Sequence, residues 1–248
     1  MREWIAGRHP VYEVLQAERR QIFQLLIADG VQEKGRLVDI LDLCQRKKVP
    51  VERQARHRLD ALGEGHQGVA LQVGEYPYSD LQAILAKARQ SQEAPFLLIL
   101  DTLQDPQNLG TLLRTAEAVG VHGILLPLRR TATITPAVVS ASSGASEHLL
   151  IAQSNLAQAI MLLKEEDVWV LGLDSGPHSQ PVDQVRLDGP LALVVGNEGQ
   201  GMRQLVERSC DVLLRLPMRG KVESLNAAVA GSIALFLTWQ ARGYLNNP

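Results

Sequence analysis

The chain has 248 residues, of which 46% are hydrophobic and 21% charged, and its formal net charge at pH 7 is −2. This length and composition allow a sizeable buried core in one large or two small domains, while the near-neutral charge gives no global argument for nucleic-acid binding. No apolar run reaches the roughly 18 residues of a membrane span, and the N-terminus lacks the apolar core of a signal peptide, so no membrane association is expected.

The two cysteines give no sign of a disulfide framework or a metal site. Cys44 and Cys210 are far apart in the sequence and show neither CxxC nor Cys/His spacing. The sequence therefore predicts a protein without structural zinc that works in a reducing cytoplasm.

The first 75 residues are predicted to form a small α/β domain. Apolar residues at helical spacing predict an amphipathic helix over 35–48. Strands are predicted at 21–30 and 66–76, a short strand at 49–54, and a short helix at 56–63 that Gly63 closes.

The densest basic cluster of the chain lies within this domain. Its members are Arg46, Lys47, Lys48, Arg53, Arg56 and Arg58. The cluster is either a solvated helix end with an exposed loop or a surface that attracts a phosphate backbone, whose contacts are largely independent of sequence.

A polar stretch rich in Gln and Ala, residues 76–95, is predicted as a linker that carries one exposed helix between Pro77 and Pro95. Beyond it, buried strands alternate with helices. Strands are predicted at 96–101, 121–127, 147–152, 168–174, 189–196 and 211–216, and helices at 105–120, 135–146, 155–167 and 224–242. This alternation predicts an α/β fold with an open, mainly parallel sheet over 96–248, whose ligands bind at the carboxyl ends of the strands.

Three of these strand ends are followed by glycine together with several polar side chains. Asn108, Gly110 and Arg114 follow the first, the stretch GNEGQGM at 196–202 follows another, and PMRGKVESLN at 217–226 follows the last. Taken singly, each has an ordinary explanation. Arg114 could pair with Glu117 on one helix, the glycine-rich loop could have no chemical role, and Ser224 could cap the last helix.

Together, the three segments resemble the motifs of the SpoU (TrmH-type) ribose 2′-O-methyltransferases of the SPOUT superfamily, and the resemblance extends over 96–242. The motifs correspond to Asn108-Leu109-Gly110 with Arg114 and Thr115, to VVGNEGQGM, and to LPMRGKVESLNAAVA. The resemblance implies a deep trefoil knot, and the wide apolar stripe of the final helix, which includes Val229, Ile233, Phe236 and Leu237, predicts a homodimer through the knotted domain. It also implies that the N-terminal domain is a ribosomal-protein-like fold that binds substrate RNA, with Arg8 and the arginines at 53, 56 and 58 as candidate contacts.

The same resemblance assigns the site. It implies a pocket for S-adenosylmethionine formed around Gly196, Leu216, Met218 and Leu225, with no metal. Its candidate catalytic residues are Asn108, Arg114, Glu198, Ser224 and Asn226. Arg114 is the central one, either as general base or, since a guanidinium normally stays charged, as a group that holds phosphate and stabilises charge on the 2′-oxygen.

The length of the chain favours one substrate over others. A two-domain chain of about this length resembles the bacterial enzymes that methylate a guanosine ribose of 23S ribosomal RNA, whereas the tRNA-specific relatives generally have only short extensions around the knotted domain. The resemblance therefore implies a guanosine of 23S ribosomal RNA as the target, with tRNA as the alternative. A non-catalytic RNA-binding protein of the same fold also stays open, although Arg114 and Asn226 are intact. A nucleotide-binding protein that uses GNEGQG as a phosphate loop is disfavoured because no Lys-Ser/Thr follows the glycines.

Overall fold

In the computed structural model, the described residues are 2–129, 131–222 and 224–244. These residues belong to two compact units of the chain, Met1–Pro77 with Thr133–His148 and Tyr78–Ala132 with Leu149–Pro248. Within the described ranges, no helix combines the length and apolar character that a membrane span needs.

The first unit contains a four-stranded sheet flanked by helices. Its elements are β1 (Arg2–Ala6), α1 (Arg8–Ala17), β2 (Ile22–Ala28), α2 (Arg36–Lys47), β3 (Val51–Gln54), α3 (Arg56–Asp60) and β4 (Val69–Gly74). The strand order is β1-β4-β2-β3; the β2–β3 pair is parallel, and the β1–β4 and β2–β4 pairs are antiparallel. The predicted strands and helices of this region are confirmed, but β1 and α1 were not predicted. Pro10 lies in the first turn of α1, where a missing N–H breaks no helical hydrogen bond.

A buried ion pair holds a distant segment of the chain in this unit. The segment Thr133–His148 contains α6 (Pro136–Ala141) and a 3-10 turn at Ala145–His148. Nε and Nη2 of Arg20 each lie 2.9 Å from a carboxylate oxygen of Glu147, and both side chains are at most 1% exposed. Nη1 of Arg20 also lies 3.0 Å from Glu3. The Arg20 guanidinium thus donates two hydrogen bonds to one carboxylate. These two bonds compensate most of the cost of burying the two opposite charges.

Removal of Glu147 should therefore destabilise the first unit strongly. The Glu147→Ala change leaves the Arg20 guanidinium buried without its main partner, and we expect a loss of about 3–5 kcal/mol in the free energy of unfolding, measured by urea denaturation. The control is Glu166→Ala, which breaks a pair with Arg89 whose side chains are 40% and 61% exposed. That change should cost about 0–1 kcal/mol, and an equal effect of both substitutions would contradict the prediction.

The described residues of the second unit form a seven-stranded sheet in which all neighbouring strands are parallel. Its strands are β5 (Phe96–Leu100), β6 (Gly123–Pro127), β7 (Ile151–Ser154), β8 (Trp169–Leu173), β9 (Gln180–Pro181), β10 (Leu191–Val195) and β11 (Val212–Arg215). Its helices are α4 (Leu81–Ser91), α5 (Pro106–Ala118), α7 (Leu156–Glu165), α8 (Gln204–Ser209) and α9 (Ala227–Ala241). The strand order is β7-β6-β5-β10-β8-β11-β9. The predicted α/β fold with a mainly parallel sheet is confirmed, whereas the trefoil knot stays a prediction.

Two details of the second unit differ from the sequence-based prediction. The helix expected to be exposed within the linker is α4, and its Ile84, Leu85 and Ala88 are buried in the core of this unit. Ile84 lies against Gly123 so closely that a Cβ there would meet it at 2.4 Å. The strand predicted over 147–152 begins only at Ile151, because the residues before it form the 3-10 turn of the first unit.

The order of the central strands determines where a ligand could bind. β10 lies between β5 and β8, with Val195 opposite Leu100, and β11 lies on the other side of β8. Since these strands are parallel, their carboxyl ends meet at one edge of the sheet. The three polar segments identified in the sequence follow β5, β10 and β11, so the fold gathers them at that edge.

Candidate active site

A cavity of about 410 Å³ opens at the carboxyl ends of β8, β10 and β11. It is lined by residues 173–175 at the end of β8, by 195–201 at the end of β10, and by several residues between 216 and 230. Among the lining residues are all four predicted cofactor contacts and two of the predicted catalytic residues: Gly196, Leu216, Met218, Leu225, Glu198 and Ser224. A volume of this size accommodates a small molecule of the cofactor class.

The loop after β10 turns back on itself and forms one wall of the cavity. The backbone N–H groups of Asn197 and Gly201 each donate to the carbonyl oxygen of the other residue, at 3.0 and 2.9 Å. The Asn197 side chain accepts from the N–H of Gly199 at 3.0 Å, which closes the turn. A Cβ at Gly196 would lie only 2.3 Å from the carbonyl carbon of Gly201. Glycine at 196 is thus required by the return of the loop's own backbone.

A buried carboxylate fixes the far end of the same loop. Asp101, directly after β5, is fully buried and accepts from both the backbone N–H and Nε of Arg203 at 2.7 Å. The backbone N–H of Asp101 donates to the carbonyl oxygen of Val195 at 2.8 Å. The loop between β10 and α8 is therefore anchored at both ends to the edge of the sheet.

Three predicted catalytic residues, one from each polar segment, meet beside the cavity. Nδ2 of Asn108 donates to Oε1 of Glu198 at 2.6 Å, and Nδ2 of Asn226 donates to Oδ1 of Asn108 at 3.1 Å. Nδ2 of Asn226 also contacts Oε1 of Glu198. Residues that are 90 and 118 positions apart in the chain thus form one hydrogen-bonded cluster.

The orientation of Asn226 is set by the start of α9. Its Oδ1 accepts from the backbone N–H groups of Ala228 at 2.9 Å and Val229 at 3.1 Å, so Asn226 is the N-cap residue. With Oδ1 engaged by the helix, Nδ2 must point toward Glu198. The interpretation of Ser224 as the cap is wrong, because the helix begins two residues after Leu225. Ser224 is instead exposed and lines the cavity.

Arg114 is exposed on α5 and is not among the described residues that line the cavity. Its helix packs closely against α9. The hydroxyl groups of Thr115 and Ser232 are 2.9 Å apart, and a Cβ at Gly231 would lie 2.6 Å from Leu112. Small residues of α9 thus permit the close approach of the two helices, and Arg114 lies on the helix that packs against α9.

The predicted RNA contacts all lie in the first unit. Arg8 is half-buried, and its guanidinium donates to the backbone carbonyl oxygens of Lys34 and Gln67, each at 3.2 Å. This geometry ties two loops together. Three arginines on and after β3 are exposed: Arg53 pairs with Glu33, Arg58 donates to Gln54 at 3.1 Å, and Arg56 has an exposed side chain.

Sequence reasoning missed part of the cavity wall. Leu173 ends β8, Asp174 and Ser175 follow it, and Ala227 and Ala230 belong to α9. The signal for the first three was present, since they end a predicted strand at the ligand-binding edge. Within the described part of the chain, no group of His, Cys, Asp and Glu residues could hold a metal ion.

Two family models match the chain. Residues 95–236 match the SpoU rRNA methylase family, and residues 4–79 match the family described as RNA 2′-O ribose methyltransferase substrate binding. The first match covers the cavity and the Asn108–Glu198–Asn226 cluster. The second covers most of the N-terminal segment of the first unit, whereas the segment Thr133–His148 of that unit lies within the first match.

Individual proteins are similar over nearly the whole chain. A Bacillus subtilis protein named for the TrmH family of tRNA/rRNA methyltransferases, YacO, is 40% identical over 244 residues, which is 97% of this chain and 96% of that protein. The SpoU methyltransferase AviRb of Streptomyces viridochromogenes, solved with AdoMet, has the same fold at a TM-score of 0.81 and 22% identity, with 98% and 91% of the two chains covered. An AdoMet-bound rRNA methyltransferase of Sinorhizobium meliloti gives a TM-score of 0.77 at 25% identity, with 98% and 88% covered.

Proposed function

Because the chain belongs to the SpoU (TrmH) family of RNA methyltransferases, we propose that it transfers a methyl group from S-adenosylmethionine to a ribose 2′-hydroxyl of RNA, with a guanosine of 23S ribosomal RNA as the target. The observation that carries the proposal is the convergence of Asn108, Glu198 and Asn226 beside a cofactor-sized cavity. An RNA target agrees with the substrate-binding family matched by residues 4–79. Such an enzyme would act in the cytoplasm, where ribosomal RNA is assembled into ribosomes.

The cavity has the properties that S-adenosylmethionine requires. Its volume is about 410 Å³, and Gly196 brings the loop backbone to its wall without a side chain between. The related enzyme of Sinorhizobium meliloti binds AdoMet. When bound, this cofactor supplies a methyl group on a sulfonium, which is already an electrophile, so the chain needs to supply only positioning and proton removal.

The Asn108–Glu198–Asn226 cluster would act mainly by positioning. Oε1 of Glu198 accepts from Asn108 and contacts Asn226, whose other amide atom caps α9. These hydrogen bonds hold the loop after β10 against the start of α9, so the distance between these two walls of the cavity is fixed. Ser224 adds a hydroxyl at the cavity wall that can donate to or accept from the reacting ribose.

Arg114 would act on the RNA. A guanidinium can hold the phosphate next to the target ribose with two hydrogen bonds and stabilise negative charge that develops on the 2′-oxygen. The alternative role, general base, requires a neutral guanidine. Either role makes the residue necessary for methyl transfer.

Methyl transfer to defined RNAs tests the proposal directly. Purified protein is incubated with radiolabelled S-adenosylmethionine and with unmethylated 23S rRNA or unmethylated tRNA, and the labelled nucleoside is identified by mass spectrometry. The expected product is 2′-O-methylguanosine in 23S rRNA. Label in tRNA alone would replace the target with the alternative substrate. Binding of cofactor and RNA without any label would favour the non-catalytic protein.

The surface of α9 supports a homodimer. Gly231, Ala234 and Leu235 are buried against the rest of the unit, yet Val229, Ile233 and Phe236 on the other side are 40–46% exposed. A helix that is apolar on both sides buries its second face against another element. A second copy of the chain would cover this face and would place the α5–α9 pair of one subunit beside that of the other.

We therefore expect a dimer in sedimentation-velocity experiments and a monomer for Ile233→Glu. In a symmetric dimer the substitution introduces one buried carboxylate from each subunit. The dissociation constant of the dimer should therefore rise at least about a hundredfold. Leu162→Glu is the control, because Leu162 on α7 is 45% exposed and lies outside the proposed contact. A wild-type protein that is monomeric yet fully active would contradict the dimer.

The exposed arginines of the first unit are expected to attract RNA. Reversal of Arg53, Arg56 and Arg58 to Glu should weaken RNA binding and reduce its salt dependence by about 0.7–0.9 in log–log slope for each RNA phosphate that the variant no longer neutralises. Cofactor affinity should not change. The control reverses three exposed arginines of the second unit: Arg89, Arg186 and Arg208. If the salt slope of the first triple variant equals that of the wild type, the cluster is only a solvated surface.

A further inference from the structure

Two carboxylates line the cavity, and the proposed reaction assigns no role to their negative charge. Among the described residues that line it, the charged ones are Asp174 and Glu198. Neither carboxylate has a cationic partner within the described part of the chain. Oε1 of Glu198 is engaged by neutral amides, and the Asp174 carboxylate accepts from the backbone N–H of Gly176 at 2.9 Å. The cavity is thus electrically suited to a cation.

Asp174 is the more effective of the two charges. It directly follows β8 and is half-buried, whereas Glu198 lies on an exposed loop. Its backbone N–H donates to the carbonyl oxygen of Leu214 at 2.9 Å, and the bond to Gly176 fixes its side chain. A fixed, half-buried charge is less screened by water and salt than an exposed one, so its attraction for a nearby cation is stronger.

We propose that Asp174 is a specificity-determining residue, whose charge favours the positively charged methyl donor over the neutral product in this cavity. The inference rests on the proposed function. In the transfer, the bond between methyl carbon and sulfur breaks and leaves its electron pair on sulfur. A bond forms between that carbon and the ribose oxygen, and the hydroxyl proton is released. S-adenosylmethionine, with net charge +1, becomes S-adenosylhomocysteine, with net charge 0, so the attraction to Asp174 falls as the product forms.

A different role for Asp174 makes a different prediction. The carboxylate could accept hydrogen bonds from the ammonium group or the ribose hydroxyls of the cofactor. Donor and product share those groups, so loss of the carboxylate would then weaken both ligands equally. Discrimination by charge, in contrast, appears as a change in the ratio of the two affinities.

The experiment measures three ligands by isothermal titration calorimetry with the full chain. They are S-adenosylmethionine, S-adenosylhomocysteine and sinefungin, in which a protonated amine replaces the methylated sulfonium. Asp174→Asn removes the charge and keeps an oxygen that can accept from Gly176. We expect the dissociation constants of the two cationic ligands to rise about tenfold, while that of S-adenosylhomocysteine changes less than about twofold. Asp188→Asn, an exposed carboxylate outside the cavity, should change none of them.

A measurement on the wild-type protein tests the same idea without a variant. Increased salt should weaken the binding of S-adenosylmethionine and sinefungin and leave S-adenosylhomocysteine nearly unchanged, because only the first two carry a net charge. Equal weakening of all three ligands in Asp174→Asn, or equal salt dependence in the wild type, overturns the inference and leaves the proposed function intact. If the wild type binds none of the three, the proposed function fails as well.

Discussion

Gly196→Ala should reduce the affinity for S-adenosylmethionine by about 5- to 150-fold, and Gly196→Trp should abolish detectable binding. The reason is the return of the loop after β10. A Cβ at position 196 would lie 2.3 Å from the carbonyl carbon of Gly201, 2.4 Å from the N atom of Met202 and 2.6 Å from the oxygen of Gly201. These are backbone atoms, so no side-chain rotation relieves the clash. The loop itself must move, and it forms one wall of the cavity.

The matched control is Gly220→Ala. Gly220 lies in the loop after β11, and a Cβ built there meets no atom within 4 Å. The Gly220→Ala variant should bind S-adenosylmethionine with the affinity of the wild type. Circular dichroism and the urea midpoint establish that both variants fold, and calorimetry gives the affinities. Unchanged affinity in Gly196→Trp would mean that the cofactor binds somewhere other than this cavity.

The elements that could be predicted from the sequence are those with a strong local pattern. The apolar spacing of 36–47 and the continuous apolar runs of β5 and β10 each point to one structure, and each is found. β1 and α1 were missed because REWIA is short and Pro10 interrupts the helical pattern. α4 was predicted as a helix but assigned to an exposed linker, since its polar outer face concealed the burial of Ile84 and Leu85.

Contacts between distant residues could not be predicted in the same way. Asp101 ends a visible strand, yet nothing in its surroundings identifies Arg203, 102 positions later, as its partner. The ion pair of Arg20 and Glu147, which are 127 positions apart, could not be predicted for the same reason. It explains why residues 133–148 belong to the first unit although the sequence places them within the alternating strands and helices of the second.

The residues of the candidate site could be identified as a group from their motifs, but their geometry could not. The cavity wall includes all four predicted cofactor residues, and Asn108, Glu198 and Asn226 meet. The sequence could not identify the helix cap, because Ser224 and Asn226 are both good caps. Only the backbone path decides between them, and it starts the helix after Asn226.

Arg114→Ala should fold, dimerise and bind cofactor, yet its rate of methyl transfer to 23S rRNA should fall by about 10²–10⁴. If Arg114 formed only a surface ion pair with Glu117, its loss would cost about 0–1 kcal/mol of stability and hardly change activity. Arg114→Lys should restore little, because lysine lacks the planar guanidinium that binds phosphate through two hydrogen bonds.

Single-turnover transfer at saturating cofactor measures the effect. The control is Arg89→Ala, which removes an exposed arginine on α4 and should retain a normal rate. Normal turnover by the Arg114→Ala enzyme would eliminate the proposed mechanism.

The position of Arg114 adds a sharper test of how the site is assembled. Arg114 is exposed on α5, and among the described residues it is not part of the cavity wall of its own chain. The apolar face of α9 is expected to bring a second subunit next to α5.

If Arg114 serves the cavity of the partner, Arg114→Ala and Gly196→Trp can complement each other in a mixed dimer. That dimer has one site with an intact cavity and an intact arginine, so random mixing should restore about a quarter of wild-type activity. If each chain supplies its own arginine, both sites of the mixed dimer are damaged and no activity returns. The mixture therefore distinguishes a shared site from a self-contained one, and each variant assayed alone provides the baseline.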